Sequence, residues 1–307
     1  MSLHPQAQAL LELFKGLPSP GPGTDAVQLR AQMQMPPPAA PEPVGHCEDR
    51  RIPGPGGEIP LRIYTPAGTG PFPLLMFFHG GGFVICDLDS HDSTCRALCN
   101  EAQAVVVSVD YRLAPEHPYP AAPEDCFAAT LWAAEHAASL HADSARLGVA
   151  GDSAGGCLAA VVAQMARDRN ALSIGFQGLI YPVTHYAFDT ASYRENGEGY
   201  FLTEASMRWF WDQYLQTPAA GAEAYASPLR AASLRGLPAA AVLTAGYDPL
   251  RDEGRAYADA LRAAGVDVDY RCFDSQFHGF AGMLAMIDEA REALRWIAGH
   301  FRRAVDR

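Results

Sequence analysis

The clearest pattern along the chain is an alternation, from residue 44 onward, of short apolar runs with segments of helical length. Runs that are apolar throughout are typical of parallel strands whose sheet is covered by helices on both faces. The runs lie at residues 74–78, 105–109, 147–150, 178–181, 239–245 and 266–273, after a hairpin around Gly54-Pro55-Gly56-Gly57. Helices are predicted at residues 95–101, 124–138, 153–168, 254–264 and 283–301. The pattern therefore predicts an α/β fold with a mostly parallel sheet.

Two segments depart from this alternation. The first segment has five apolar residues on one helical face: Leu3, Leu10, Leu11, Phe14 and Leu17. A Pro/Gly stretch ends that helix, and a second short one ends before Pro36. Two short helices cannot form a core alone, so we expect them to dock on a larger body, with a disordered arm as the alternative.

The second exceptional segment lies between residues 182 and 227, where no apolar strand run occurs. An aromatic-rich helix is predicted instead at residues 203–215, with Thr203 as its N-cap. We interpret residues 1–43 as N-terminal cap helices and residues 185–216 as a cap insertion. Residues 44–184 and 217–307 then form one catalytic domain.

Composition and charge narrow the class of partner. The 307 residues are 49% hydrophobic, and the formal net charge of -12 argues against a nucleic-acid partner, which requires a positive surface. Cys95 and Cys99 stand four apart, but no second pair completes a zinc site, so we predict no metal ligands and reduced thiols. The first residues lack a basic segment followed by an apolar one, and no apolar stretch reaches the ~20 residues of a membrane span. We expect a cytoplasmic protein without stable membrane insertion.

The strongest chemical motif is Gly151-Asp152-Ser153-Ala154-Gly155. The pattern Gly-x-Ser-x-Gly is weak by itself, but here a strand run ends at Gly151 and a helix begins directly after the motif. A strand, a tight turn and a helix are the setting of a nucleophile elbow. We predict that Ser153 is a nucleophile at a helix N-terminus, where backbone amides favour negative charge.

A nucleophilic serine needs a base and an acid, which in such folds follow it along the chain in the order acid, histidine. Asp248 comes directly after the strand run at residues 239–245 and is the predicted acid, with an N-cap role as the alternative. Asp252 and Glu253 are interpreted as capping residues of the next helix. His278 follows the last strand run and is the predicted base, because His300 lies near the end of the terminal helix and is expected to be solvated.

The oxyanion of the tetrahedral intermediate requires preorganised N–H donors. One predicted donor is the amide of Ala154, the residue after the nucleophile. The others are expected in His79-Gly80-Gly81-Gly82-Phe83, which follows the strand run at residues 74–78. A phosphate-binding loop is the rival interpretation, but neither a following Lys-Ser/Thr nor a dinucleotide glycine spacing is present.

These motifs together resemble those of the hormone-sensitive-lipase-like (family IV) bacterial carboxylesterases. The resemblance is carried by His79-Gly80-Gly81-Gly82, Gly151-Asp152-Ser153-Ala154-Gly155, Asp248-Pro249-Leu250, His278-Gly279-Phe280 and the block from Asp110 to Ala121. It implies an α/β-hydrolase fold with an eight-stranded, mostly parallel sheet and a helical cap. It also implies a Ser153, Asp248, His278 triad and oxyanion donors at Gly81, Gly82 and Ala154. Asp152 marks the GDSAG branch of the family, and no cofactor is implied.

The expected reaction is hydrolysis of a small-molecule carboxylic ester with an acyl chain of short to medium length. Phe83, Trp209 and Phe210 are the predicted substrate-binding residues, in a pocket shielded by apolar cap segments that also include Leu11, Phe14, Phe201 and Trp211. A lactonase or amidase with the same triad, or a non-catalytic binding protein on this scaffold, remains an alternative.

Two further expectations concern charge and assembly. Arg112 is expected to be a partly buried charge held by carboxylates, with substrate binding as the alternative. The last strand is expected at a sheet edge, where two copies could pair into a homodimer.

Overall fold

The computed structural model describes residues 2–16, 19–33 and 40–306. Its strands are β1 (His46–Gly54), β2 (Gly57–Thr65), β3 (Phe72–Phe78), β4 (Val105–Val109), β5 (Ala142–Asp152), β6 (Phe176–Ile180), β7 (Ala239–Tyr247) and β8 (Val268–Phe277). Its α-helices are α1 (Pro5–Phe14), α2 (Ala26–Met33), α3 (Asp92–Ala102), α4 (Ala121–Glu135), α5 (Ala154–Asp168), α6 (Ala191–Asn196), α7 (Glu204–Tyr214), α8 (Arg251–Ala263) and α9 (Asp288–Val305).

The strands form one sheet in the order β1-β2-β4-β3-β5-β6-β7-β8. The β1–β2 hairpin is antiparallel and joins β4 in antiparallel register, whereas all later pairings are parallel. The predicted fold class is therefore confirmed, including the eight strands and the position of β8 at an edge. Strand β4 is fully buried, as the apolar run at residues 105–109 predicts.

The predicted runs mark the centres of the elements better than their ends. Strand β8 continues to Phe277, four residues beyond the predicted end, because the polar residues Asp274, Ser275 and Gln276 hide the strand pattern. The predicted start of the last helix at residue 283 is wrong. The amides of Met286 and Ile287 bond to the carbonyl of Met283, which makes a turn, and α9 begins at Asp288.

The N-terminal helices dock on the catalytic body, as expected. The amide of His4, the residue before α1, donates to the carbonyl of Ser275 in β8 at 2.9 Å. Ala7, Leu10 and Leu11 of α1 are buried in a cluster that includes residues of β8 and α9. Leu17 and Pro36, which entered the predictions for these helices, lie outside the described residues.

The segment between β6 and β7 carries two α-helices rather than one, followed by two short 3₁₀ turns at Pro218–Ala222 and Pro228–Arg230. Helix α7 is confirmed, and the Thr203 hydroxyl caps it by accepting from the amide of Ser206 at 3.0 Å. The six-residue α6 was missed by the sequence prediction, since its sequence Ala-Ser-Tyr-Arg-Glu-Asn has no clear apolar period. Helix α6 contacts the loop that carries Asp248, and α7 contacts the glycine loop, residues 79–83. Both loops are described next.

Candidate active site

Ser153 lies in a tight turn between β5 and α5, with φ of 55° and ψ of -118°. The turn is possible because its flanking glycines have no side chains. A Cβ at Gly151 would lie 2.2 Å from the carbonyl oxygen of Gly155, and one at Gly155 would lie 1.9 Å from that of Phe78. The sequence thus builds the strained elbow that presents a hydroxyl at the start of a helix.

The three residues predicted as a triad converge in space. The Ser153 Oγ lies 2.9 Å from His278 Nε2, and His278 Nδ1 lies 2.7 Å from Asp248 Oδ2. Because a carboxylate only accepts, Nδ1 carries the ring hydrogen and Nε2 is left to accept from the serine hydroxyl. The side chain of Asp248 is fully buried, and only 8% of Ser153 is exposed. Such an array can draw the proton from a serine that attacks a carbonyl.

The acid is held by its own loop and by α6. The second oxygen of Asp248, Oδ1, accepts at 2.8 Å from the amide of Leu250, two residues further along the same loop. The Asn196 side chain of α6 donates to the carbonyls of Gly246 and Asp248, and the Ser192 hydroxyl donates to that of Pro249. The cap insertion therefore braces the loop that carries the acid.

Asp252 and Glu253 do not cap α8, so the sequence interpretation of these two residues is wrong. Asp252 accepts from the amide of Ser192, and Glu253 accepts from the amides of Thr184 and His185. Burial raises the pKa of Glu253 well above its usual value, against the two amide bonds that lower it. Their carboxyl groups reach across to the segment after β6, a partner that helix-start signals cannot reveal.

Three backbone amides of the glycine loop and the serine elbow have no protein acceptor. In the part of the chain that the structure describes, the N–H groups of Gly81, Gly82 and Ala154 donate no hydrogen bond. The glycines have φ values of 110° and 60°, which place them in the left-handed region. The carbonyl of Gly81 is turned away and accepts from the amides of Val84 and Ile85. Free, preorganised amides of this kind are what an oxyanion requires.

The three predicted substrate-binding residues occupy different places. A Cβ on Gly82 would lie 2.2 Å from the Phe210 ring, which puts that ring directly on the glycine loop. Trp209 packs on Phe210 with the ring centroids 5.1 Å apart. The Phe83 ring stacks on Tyr214 at 3.8 Å and is only 2% exposed. Phe83 therefore joins the loop to α7, and contact of all three with substrate stays a prediction.

Two charged residues outside the triad also have assigned partners. The Arg112 guanidinium makes a two-point contact with Asp125, at 2.8 Å for both bonds, as the expectation of a held charge required. The expectation for His300 is wrong. Its side chain is only 12% exposed and its Nδ1 lies 2.6 Å from Asp269 Oδ2, because the end of α9 packs beside β8.

One contact between the glycine loop and the residue before the serine was missed by sequence reasoning. The Asp152 Oδ1 accepts from the amide of Gly80 at 2.9 Å, across 72 positions of the chain. The sequence places Asp152 beside the nucleophile but gives no signal for its partner. Among residues 2–16, 19–33 and 40–306, no group of three or more metal-binding side chains is found, and no helix is long and apolar enough to cross a membrane.

The strand order, the serine elbow and the Ser–His–Asp array define an enzyme of the α/β-hydrolase class. Residues 75–282 match the model of a family described as having the alpha/beta hydrolase fold. The chain is 46% identical over 295 residues to the carboxylic ester hydrolase LipN of Mycobacterium tuberculosis, which covers 93% of this chain and 78% of the relative.

Solved structures agree with this comparison. An ester hydrolase from the metagenome of Lake Arreo superposes with a TM-score of 0.91 at 41% identity, over 98% of both chains. A hyperthermophilic esterase from the archaeon Pyrobaculum calidifontis superposes with a TM-score of 0.92 at 40% identity, over 99% of both chains. The chain belongs to the hormone-sensitive-lipase-like (family IV) branch of the α/β-hydrolases, and it is a carboxylic ester hydrolase.

Proposed function

We propose that the protein is a serine carboxylesterase that acts by two-step acyl transfer. The distance of 2.9 Å between Ser153 Oγ and His278 Nε2 carries the proposal. His278 takes the serine proton as Oγ attacks the ester carbonyl, and Asp248 stabilises the imidazolium. The amides of Gly81, Gly82 and Ala154 bind the oxyanion. His278 then protonates the leaving alcohol and activates the water that releases the acid.

The reaction needs no group beyond these side chains and amides. Every proton transfer runs between Ser153, His278 and the substrate or water, so our proposal includes neither a metal nor an organic cofactor. Phe210 supports a small-molecule ester of short to medium acyl chain as substrate, because its ring bounds the space beside Gly82.

The assignment is tested by replacing the nucleophile. Ser153→Ala removes the attacking oxygen, and we expect hydrolysis of a short-chain aryl ester to fall by about 10⁴-fold or more. Unchanged hydrolysis by the purified variant would contradict the proposal. An organophosphate should label Ser153 alone, and loss of that label in Ser153→Ala is the matched control.

A substrate panel tests the bond that is cleaved. We expect kcat/KM to be highest for esters with acyl chains of up to about eight carbons, because the Phe210 ring limits the space beside Gly82. Lactones and amides of matched acyl groups serve as comparison substrates. A higher kcat/KM for either class, or for long-chain triglycerides, contradicts the proposal.

We also propose a two-fold dimer through the edge strand β8. The strand is ten residues long and ends the sheet order. The carbonyls of Val268 and Ser275 already accept from Arg262 and His4, so pairing with a second copy would use the outer backbone groups between these two residues. Light scattering should give a solution mass twice the 33.0 kDa of one chain. A mass of one chain at every concentration up to about 100 μM would contradict this arrangement.

The unpaired state of the cysteines supports a location in a reducing compartment. All seven are free thiols, and burial raises the pKa of the Cys86 thiol to about 12, against a small opposing effect of Ser90. Four of the seven thiols are buried, and free thiols of this kind support the cytoplasmic location that we propose.

A further inference from the structure

The first glycine of the glycine loop has no part in the proposed oxyanion hole, but it contacts Asp152. A Cβ at Gly80 would lie 2.5 Å from Asp152 Oδ2 and 3.0 Å from the Asp152 carbonyl oxygen. Only glycine therefore lets the carboxylate reach the Gly80 amide, which donates to Oδ1 at 2.9 Å. The position is shaped for a carboxylate immediately before the nucleophile.

The carboxylate is paired with a histidine from outside the triad. His91 Nε2 lies 3.1 Å from Asp152 Oδ1, and the two side chains are only 12% and 14% exposed. On the other side of the ring, His91 Nδ1 lies 3.0 Å from the Ser90 hydroxyl, which itself donates to the carbonyl of Asp87. Burial raises the pKa of Asp152. The charge and hydrogen bond of His91, together with the bond from the Gly80 amide, lower that pKa by more, so the net shift is downward.

Two consecutive peptide planes of the loop are each held by hydrogen bonds to side chains. In the plane that joins His79 to Gly80, the carbonyl accepts from the Tyr111 hydroxyl at 2.8 Å and the N–H donates to Asp152. In the next plane, the Gly80 carbonyl lies 2.7 Å from His79 Nδ1, and the N–H is that of Gly81. Burial lowers the pKa of His79 to about 4, so its ring is neutral and Nδ1 can donate.

These contacts fix the direction of the Gly81 amide through a short chain of bonds. The Gly80 carbonyl and the Gly81 N–H belong to one rigid peptide plane, so the contact with His79 Nδ1 fixes both of them. The bond from the Gly80 N–H to Asp152 holds the adjoining plane, between His79 and Gly80. Asp152 holds the one end of that plane that Tyr111 does not hold. The ionised carboxylate of Asp152 is bonded to Gly80, the residue before the proposed donor Gly81, so its negative charge would repel the oxyanion. His91 offsets that charge.

We propose that Asp152, paired with His91, is a positioning residue for ester hydrolysis. It anchors the Gly80 amide and so aims the Gly81 and Gly82 amides at the oxyanion, while His91 neutralises it. The inference rests on the proposed function, since it assigns no new reaction but a further part of the same site.

The experiment compares Asp152→Ala, Asp152→Asn and His91→Gln with matched controls. Asp152→Asn keeps an acceptor for Gly80 but loses the charge, and His91→Gln keeps a donor for Asp152. The pair of His300 and Asp269 lies far from the loop, and His300 has the same 12% exposure as His91. His300→Gln and Asp269→Ala therefore control for the loss of a histidine–carboxylate pair as such.

Activity is expressed per serine titrated with an organophosphate, so that unfolded protein is not counted. We expect kcat to fall about 100-fold in Asp152→Ala and about tenfold in His91→Gln, with KM within about twofold, because the contact matters in the transition state. Asp152→Asn should keep several times the kcat of Asp152→Ala. The inhibition constant of a trifluoromethyl ketone, whose adduct carries the oxyanion, should rise in proportion to the loss of kcat.

A purely structural role would lower the melting temperature without changing kcat per titrated serine or the ketone affinity, and that result would overturn the proposal. Values of kcat within twofold of wild type in Asp152→Asn and His91→Gln would overturn it also. Failure of the proposed function gives a different result, since Ser153→Ala would then stay active and the wild-type serine would not be titrated.

Discussion

At the scale of single residues, the unusual backbone conformations gather around the serine. Ser153, Phe83 and Cys86 all have positive φ, at 55°, 65° and 72°. Residues other than glycine rarely adopt positive φ, and contacts with the surrounding structure offset the conformational free energy that it costs. Phe83 is held by its stack on Tyr214, and Ser153 by a bond from its amide to the carbonyl of Ile180 at 2.8 Å. Where the glycine loop meets the serine elbow, tertiary contacts thus override the local backbone preference of these residues.

Gly82→Ala should abolish most of the activity. The added Cβ would lie 2.2 Å from the Phe210 ring, so the loop must move and carry its amide away from the oxyanion. Loss of one such donor typically lowers kcat by about 100- to 1000-fold. Gly265→Ala is the matched control, because Gly265 also has a positive φ, 84°, but no atom lies within 4 Å of the added carbon. Equal kcat/KM in both variants would show that Gly82 donates no catalytic bond.

Asp110 makes stability depend on pH in a direction opposite to that of most carboxylates. Burial, followed by repulsion from Asp87, raises the pKa of Asp110 to about 6, against the attraction of Arg51. The stability that Asp110 contributes is therefore full below its unfolded pKa of about 4 and is lost as the pH rises through 6. Asp110→Asn stays neutral, so it should be more stable than wild type above pH 6, by at most about 3 kcal/mol.

Urea unfolding at pH 5 and pH 8 measures this effect. The advantage of Asp110→Asn should be larger at pH 8 than at pH 5, by about 1 kcal/mol or more. Glu58→Gln, at an exposed position of β2, controls for the loss of one charge. An advantage that is the same at both pH values would rule out titration of Asp110 over this range.

At the scale of elements, the sequence predicts the body of the sheet better than its connections. The runs of β3, β4 and β7 are apolar on both faces, so burial alone marks them. The end of β8 lies beyond three polar residues that interrupt the apolar run, and the start of α9 is set by the turn at Met283. Ser153, Asp248 and His278 could be found because each follows a strand run in a fixed order. The bond between Asp152 and Gly80 could not be, because it joins two loops through the fold.

Helix α2 is fastened to the glycine loop by one side chain. Arg30 donates to the carbonyl of Val84 and to that of Ala114, both at 2.6 Å, and makes two bonds to the Glu116 carboxylate. Val84 follows Gly82 by two residues, and its amide bonds to the carbonyl of Gly81. Helix α2 therefore contacts the same turn that carries the predicted oxyanion donors.

Arg30→Met should loosen this connection while keeping the apolar part of the side chain. Two carbonyls lose a charged donor, and we expect about 1–3 kcal/mol of destabilisation. Amide exchange in α2 should rise, and kcat/KM should fall severalfold as the loop becomes mobile. Arg255→Met is the control, since Arg255 is 55% exposed and its contacts, with Asp259 and the ring of Tyr270, involve neither α2 nor the glycine loop. If exchange in α2 matches wild type, the side chain does not fasten the helix.

At the scale of the whole molecule, two segments far apart in the chain meet next to the base. Phe14 of α1 and Phe201 of the insertion have ring centroids 5.3 Å apart. Phe201 also lies 5.9 Å from Phe277, and a Cβ at Gly279 would be 3.4 Å from its ring, directly after His278. Phe201 is 47% exposed and has a φ of 71°. This half-exposed ring supports the proposal that residues 1–43 and 185–216 act as one cap.

A double-mutant cycle on Phe14→Ala and Phe201→Ala tests whether the two segments are coupled. A contact between the rings predicts that the free energies of unfolding of the two variants are non-additive, by about 0.5–1.5 kcal/mol. The pair Phe14→Ala and Trp296→Ala, with Trp296 on α9 against His300, should be additive. Phe201→Ala should also lower kcat/KM for hexanoate esters more than for acetate esters, because it removes apolar surface beside His278 while the triad is unchanged. Additive unfolding energies with an unaltered chain-length preference would mean that the two segments do not act together, and that the predicted cap is two independent pieces.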